Sequence, residues 1–174
     1  MTVNKLSTKE ILQRNLGRSA PVMMSKTVIF LHDIRSLHNV GAVFRNADAF
    51  GIKKILLSGV TPQPPRPEIT KTAIGAEKYV DWEPVDDPQQ TLQNLRQSHT
   101  VIGIEQTTNS HLLPDFNTSE RPLCLVFGNE VTGIDESLFP KIEDFVEIPQ
   151  YGHKHSLNIS VAVGVVLYGI LQTY

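Results

Sequence analysis

From residue 27 onward the chain alternates short apolar runs with longer segments whose apolar residues recur every three or four positions. The runs at 28–31, 55–57, 79–82, 101–104, 123–127 and 145–148 are too short for helices and favour β-branched and aromatic residues, which predicts strands. Val40, Val43, Phe44, Ala47 and Phe50 share one helical face, predicting a helix over 39–50 that Gly51 ends. A short helix is expected over 68–75. Another starts at Asp87-Pro88, where Asp caps and Pro suits the first turn, with Leu92 and Leu95 facing inward. The proline-rich segment 61–67 fits neither structure and predicts an exposed loop. Residues 157–171 are apolar nearly all round, and about 15 residues is long for a strand but ordinary for a helix. Such a helix is expected to be buried in the core or against another subunit, with Gly164 and Gly169 allowing close approach.

Ahead of this domain, Ser7-Thr-Lys-Glu10 has the form of a capping box, and Leu6, Ile11, Leu12 and Leu16 follow one face of a short helix before Gly17. The predicted organisation is therefore a helical arm over 1–26 and one domain over 27–174. Strands alternating with helices imply an α/β fold with a mostly parallel sheet flanked by helices. Ligands of such sheets bind at the carboxyl ends of the strands, which directs attention to the loops after Leu31, Ile104, Phe127 and Ile148.

Composition narrows the class without naming a function. With 174 residues, 40% hydrophobic and 20% charged, the chain is neither disordered nor a disulfide scaffold. Its single cysteine, Cys124, lies within an apolar run and reads as a core residue in a reducing compartment. No secretion signal or membrane-length apolar run is visible, so a cytoplasmic protein is expected. The net charge of −2 conceals an asymmetry: residues 1–78 carry 12 Lys and Arg against 5 acids, residues 79–174 only 4 against 13. A basic front half could form a phosphate-attracting face, although charge also drifts along chains without purpose.

Three of the strand-end loops are unusual. The first runs from His32 through Asn39 and Gly41 to Arg45; Asn39 could be a plain N-cap and Arg45 a solvated charge. Six residues apart on a helix, the two would meet only if Asn39 sat at the cap and Arg45 reached back. The second, Gly128-Asn-Glu130-Val-Thr-Gly133, is a glycine-bracketed turn that matches neither a dinucleotide fingerprint nor a triphosphate loop. The third leads from Pro149 through His153 and His155 to Ser156-Leu157-Asn158, where Ser156 could cap the last helix by accepting from residue 158 or 159. Asn158, inside so apolar a first turn, must find partners for its amide. His153 and His155 lack a third ligand, so no metal site is expected. Ser156 lacks the G-x-S-x-G elbow of a hydrolase nucleophile.

Together and in order, these segments resemble the SpoU (TrmH-like) family of RNA ribose 2′-O-methyltransferases, in the SPOUT superfamily. The resemblance rests on Asn39-Val-Gly-Ala-Val-Phe-Arg45 through Gly51, on Leu125-Val-Phe-Gly128-Asn129-Glu130-Val-Thr-Gly133, and on Ile148-Pro-Gln-Tyr-Gly152 continuing into Ser156-Leu157-Asn158. It implies an α/β domain with a C-terminal deep trefoil knot, a homodimer, and S-adenosylmethionine as methyl donor without a metal. It implies transfer to a ribose 2′-hydroxyl of tRNA or rRNA. The family's functional polar residues match Asn39, Arg45, Glu130, Ser156 and Asn158. Its cofactor pocket maps to Gly128, Ile148 and Leu157, with Glu105 and Gln106 contributing. An RNA-binding module of the same fold without catalysis is the alternative expectation.

Overall fold

The computed structural model describes residues 3–117 and 120–174. Seven strands form a single sheet in the order β3-β2-β1-β6-β4-β7-β5, with every neighbouring pair parallel. Here β1 is Val28–His32, β2 Lys54–Ser58, β3 Asp81–Val85, β4 Thr100–Ile104, β5 His111–Leu112, β6 Leu123–Phe127 and β7 Asp144–Glu147. The α-helices are α1 (Thr8–Leu16), α2 (Val22–Lys26), α3 (Leu37–Phe50), α4 (Pro67–Ala73), α5 (Pro88–Leu95) and α6 (Ile159–Leu171).

The central strands β1 and β6 are buried along their whole length, as continuous apolar runs in a sheet covered on both faces must be. Alternation then assigns the two cores. Ile29, Leu31, Leu125 and Phe127 face the helices α3 and α6 with Val43, Phe44, Val163 and Val166. Val28, Phe30, Cys124 and Val126 face α5 and the 3-10 helix at Glu136–Lys141, with Leu92 and Leu138. Cys124 is thus core, and burial pushes its thiol far above the usual range, leaving it unreactive.

Several boundaries differ from the sequence-based expectation. The helix expected over 39–50 begins at Leu37, and Ser36, not Asn39, is its N-cap, its side chain accepting from the Asn39 amide. The last helix begins at Ile159 rather than 157, with Asn158 as the cap in place of Ser156. The third strand sits at Asp81–Val85, largely exposed at the sheet edge, rather than over 79–82. Within the single chain the last helix buries Ile159, Val163, Val166, Leu167 and Ile170, and exposes Val161, Val165 and Tyr168 at the spacing of one helical face. Gly169 does permit close approach, since a Cβ there would press on Leu113.

The capping box of α1 is formed, with Ser7 and Glu10 satisfying each other's backbone amides. No residue of α1 is buried, whereas α2, unexpected from the pattern, sinks Met24 completely into the core. No described helix is long and apolar enough to cross a membrane.

The sheet order turns at its centre. The chain leaves β1 towards β2 and β3 on one side, then returns to build β4, β5, β6 and β7 on the other. A crevice therefore opens at the carboxyl ends of β1, β6, β4 and β7, the place where parallel sheets bind ligands.

Candidate active site

Three loops meet in that crevice, and a chain of polar contacts joins them. After β6, Asn129 and Gly133 exchange backbone hydrogen bonds of 2.9 and 3.0 Å, closing a tight turn. The Asn129 side chain accepts from the amides of Val131 and Thr132 and donates to the Asp33 carbonyl at 2.7 Å, which fastens the turn to the end of β1. Gly133 has φ +73°, and a Cβ there would collide with the Glu105 carboxylate. A Cβ on Gly128 would collide with the backbone of Gly133. Both glycines of the motif are required by geometry.

The turn projects Glu130 across the start of α3. Its carboxylate accepts from the Arg35 amide at 3.0 Å, the Ser36 amide at 3.2 Å and the Asn39 side chain at 2.9 Å. Backbone amides at a helix start lack partners within the helix, and Glu130 supplies one from 94 residues away in sequence. Partial burial pushes the Glu130 carboxyl up. The hydrogen bonds from Arg35, Asn39, its own amide and Ser36 outweigh that effect and hold it below the usual glutamate value.

Asn39 continues the chain. Its side-chain oxygen accepts from the Asn158 amide group at 3.1 Å, and the Asn158 oxygen accepts from the Ser160 amide at 2.9 Å and hydroxyl at 2.6 Å. Asn158 therefore caps α6 and links it to α3 at once. Asn39, Glu130 and Asn158, one from each sequence motif, form one hydrogen-bonded row.

Two cavities flank this row. The more enclosed of the two, about 200 Å³, is lined by Glu105, Gln106, Gly128, Ile148 and Leu157, the five residues expected to contact a cofactor, together with Phe127, Gln150 and others. Its walls are tied together: the Glu105 carboxylate accepts from the Gln106 and Ile134 amides, and the Gln106 side chain donates to the His155 carbonyl at 2.7 Å. The second cavity, about 490 Å³ and open to solvent, is lined by Arg35, Ser36, Asn39, Glu130, Ser156 and Asn158, among others. Glu130, Val131, Ser156 and Leu157 border both. Ser156 is exposed at this shared wall.

Arg45 is placed differently. It is exposed on α3, borders neither cavity, and among the described residues makes no hydrogen bond or ion pair. Its neighbour Asn46 donates instead to the Ser160 carbonyl at 2.7 Å, holding α3 against α6.

The sequence pattern did not single out Asn129, Ser36 or Glu147. Asn129 stood in plain view between Gly128 and Glu130, where a side chain able both to donate and to accept is what closes such a turn. Glu147 carried no signal, being one acid at the end of an apolar strand, yet it lines the enclosed cavity.

This arrangement can be compared with known proteins. Residues 26–168 match the model of the SpoU rRNA methylase family. The chain belongs to that family. A tRNA (guanosine(18)-2′-O)-methyltransferase of Aquifex aeolicus is 29% identical over 164 residues, covering 91% of this chain and 76% of that protein. A Staphylococcus haemolyticus protein ascribed to the TrmH family of tRNA/rRNA methyltransferases is 26% identical over 84% of this chain. This SpoU-family chain spans only 58% of the length of that relative. The fold agrees with the solved structure of an AdoMet-bound rRNA methyltransferase from Sinorhizobium meliloti (TM-score 0.77, 22% identity, covering 89% of this chain and 61% of that one).

Proposed function

We propose that the chain is an S-adenosylmethionine-dependent methyltransferase acting on a ribose 2′-hydroxyl of tRNA or rRNA. The observation that carries this reading is the wall shared by the two cavities. A more enclosed cavity for the donor and a more open one for the acceptor meet at Glu130 and Ser156, as direct transfer between two bound molecules requires. Family membership and the activity named for the Aquifex relative support it.

The donor set of the enclosed cavity fits the cofactor. Phe127, Ile148, Leu157 and Ile159 give it apolar walls, Glu105, Glu130 and Glu147 give it negative charge, and no described lysine or arginine lines it. A phosphate-bearing cofactor would lack a counter-charge there, whereas a sulfonium cation would have one. When bound, S-adenosylmethionine supplies an already activated methyl group, so the protein's task is alignment and proton handling.

Glu130 is poorly placed to act as a base, since both its oxygens already accept hydrogen bonds and its pKa is lowered. It holds the α3 loop and Asn39 in position. A guanidinium is a donor with no free lone pair to take a proton, so we assign Arg45, which borders neither cavity of the single chain, to charge stabilisation at the reacting 2′-oxygen once RNA is bound rather than to proton removal. Ser156 and Asn158 shape the wall between donor and acceptor.

A homodimer and a C-terminal trefoil knot belong to the same reading. The unpartnered apolar face Val161, Val165 and Tyr168 supports the first, and the convergence of the loops after β4, β6 and β7 on one cavity supports the second. We place the protein in the cytoplasm, with the arm over 1–26 as an RNA or partner contact.

The test incubates the protein with labelled S-adenosylmethionine and total RNA from cells lacking the activity, then digests the RNA to nucleosides. A 2′-O-methyl nucleoside is expected, about 100-fold weaker with Arg45→Ala, as for loss of a charge-stabilising group, and weaker also with Arg45→Lys, which keeps the charge but lacks the planar fork. Both variants should melt with the wild type, because exposed Arg45 has no bonds to lose. Cofactor binding without labelled RNA would favour the non-catalytic RNA-binding module. Neither binding nor label would overturn the methyltransferase reading.

A further inference from the structure

Resting on that reading, we infer that Arg35 is a positioning residue that holds the phosphate beside the target ribose. A ribose 2′-hydroxyl within RNA always lies next to its own 3′-phosphodiester. Any RNA that presents this hydroxyl at the shared wall must therefore bring a phosphate into the open cavity. That cavity already holds the Glu130 carboxylate, kept ionised by the donors around it, and a phosphate nearby meets like charge.

Among the lysines and arginines of the described residues, Arg35 alone lines the open cavity. Its backbone is fixed there, because its amide donates to Glu130 at 3.0 Å and the next amide does the same at 3.2 Å. Its side chain is exposed and, among the described residues, makes no hydrogen bond or ion pair. A pinned main chain and a free guanidinium are what a phosphate clamp needs, since the planar fork can take two phosphate oxygens at once. Most other polar side chains of the cavity are already bonded, Ser36 to the Asn39 amide, Asn39 to Glu130 and Asn158, and Asn158 to Ser160, and exposed Ser156 brings a hydroxyl but no charge. Arg45, about two turns along α3 from Leu37, borders neither cavity and leaves this role to Arg35.

The experiment measures kcat and KM for total RNA lacking the modification, across a KCl series, for wild type, Arg35→Ala, Arg35→Gln and Arg35→Lys. With Arg35→Ala we expect KM for RNA to rise about tenfold while kcat falls less than about threefold, as for one lost charged hydrogen-bond pair. The slope of log kcat/KM against log salt should shrink by about 0.7 to 0.9, the share of one phosphate contact. Arg35→Lys should restore the salt slope and only part of the KM. The cofactor-induced rise in Tm should match wild type in every variant. Where Arg35→Ala loses that rise through misfolding, Arg35→Gln, which keeps the length and removes the charge, decides the matter. An unchanged KM and salt slope in the neutral variants, or a loss confined to kcat, overturns the assignment. Failure of the wild type itself to bind cofactor and to label RNA overturns instead the reading on which the assignment rests.

Discussion

Replacing Glu130 by glutamine tests the row of contacts at its centre. The carboxylate receives three donors: the Ser36 amide and the Asn39 side chain at Oε1, and the Arg35 amide at Oε2. A glutamine offers one oxygen and one NH2 group. Whichever way it turns, at least one N–H donor at the start of α3 then faces another donor. Hydrogen bonds to a charged group are each worth about 1.5–3 kcal/mol, and a donor left unpaired costs about 1–3 kcal/mol. The cavity is open, so water takes up part of that loss, and we expect a net destabilisation of about 1–2 kcal/mol. For a chain of 174 residues this lowers Tm by about 2–8 °C.

The pH dependence gives the sharper readout. The folded pKa of Glu130 lies below its unfolded value, so its contribution is fully present above the ordinary glutamate range and is lost as pH falls through the folded value. Urea denaturation at pH 7 and at steps below pH 5 should show the two proteins converging as the solution is acidified. A glutamine variant as stable as wild type at pH 7, or a gap that persists unchanged at acid pH, would refute the claim that the carboxylate's charge fastens α3.

Asn158→Asp should keep the cap of α6, since an aspartate accepts from Ser160 equally well, but it has no donor for Asn39. Its stability should stay within about 1 kcal/mol of wild type while methyl transfer falls; a fully active variant would show the link to Asn39 to be dispensable. Gly133→Ala combines a positive φ with a collision at Glu105 and should cost about 2–4 kcal/mol and abolish the cofactor-induced rise in Tm, read by thermal melts. Val165→Glu tests the proposed homodimer by placing a charge on the exposed apolar face of α6: sedimentation velocity should show a dimer for wild type and monomers for the variant, and a variant dimer would rule this face out as its interface.

The strands were legible because each central one is buried on both faces and so appears as an unbroken apolar run, as in Leu123–Phe127. The start of α3 was not. Ser36 and Asn39 are both capping residues, and local propensity cannot choose between them. The choice is made by Glu130, which occupies the Arg35 and Ser36 amides and draws the Asn39 side chain away from the backbone. Asn158 was misplaced for a similar reason: the need of its amide for partners was visible, but the partner, Asn39, lies 119 residues away. Helix α2 has only five residues, and β5 only two, too few to show any period. Arg35 was invisible as a site residue because the cavity it lines exists only once three distant loops have met.

The charge asymmetry of the chain gains a meaning in the folded site. The acidic half, residues 79–174, supplies Glu105, Glu130 and Glu147 to the enclosed cavity. The basic half, residues 1–78, supplies Arg35 to the open cavity and Arg45 on the same helix as Asn39. Placed side by side, the two halves make a site whose smaller cavity favours a cation, while Arg35 sets a positive charge beside Glu130 in the open one. On the proposed function, such a field would help to sort a sulfonium donor from a polyanionic acceptor before any specific contact forms. The seam between them is the Glu130 carboxylate, an acid of the second half held by amides of the first. Its position explains why it needs so many donors. They hold its charge against the start of α3, and on the proposed function the free guanidinium of Arg35 offsets the repulsion that this charge still exerts on a phosphate.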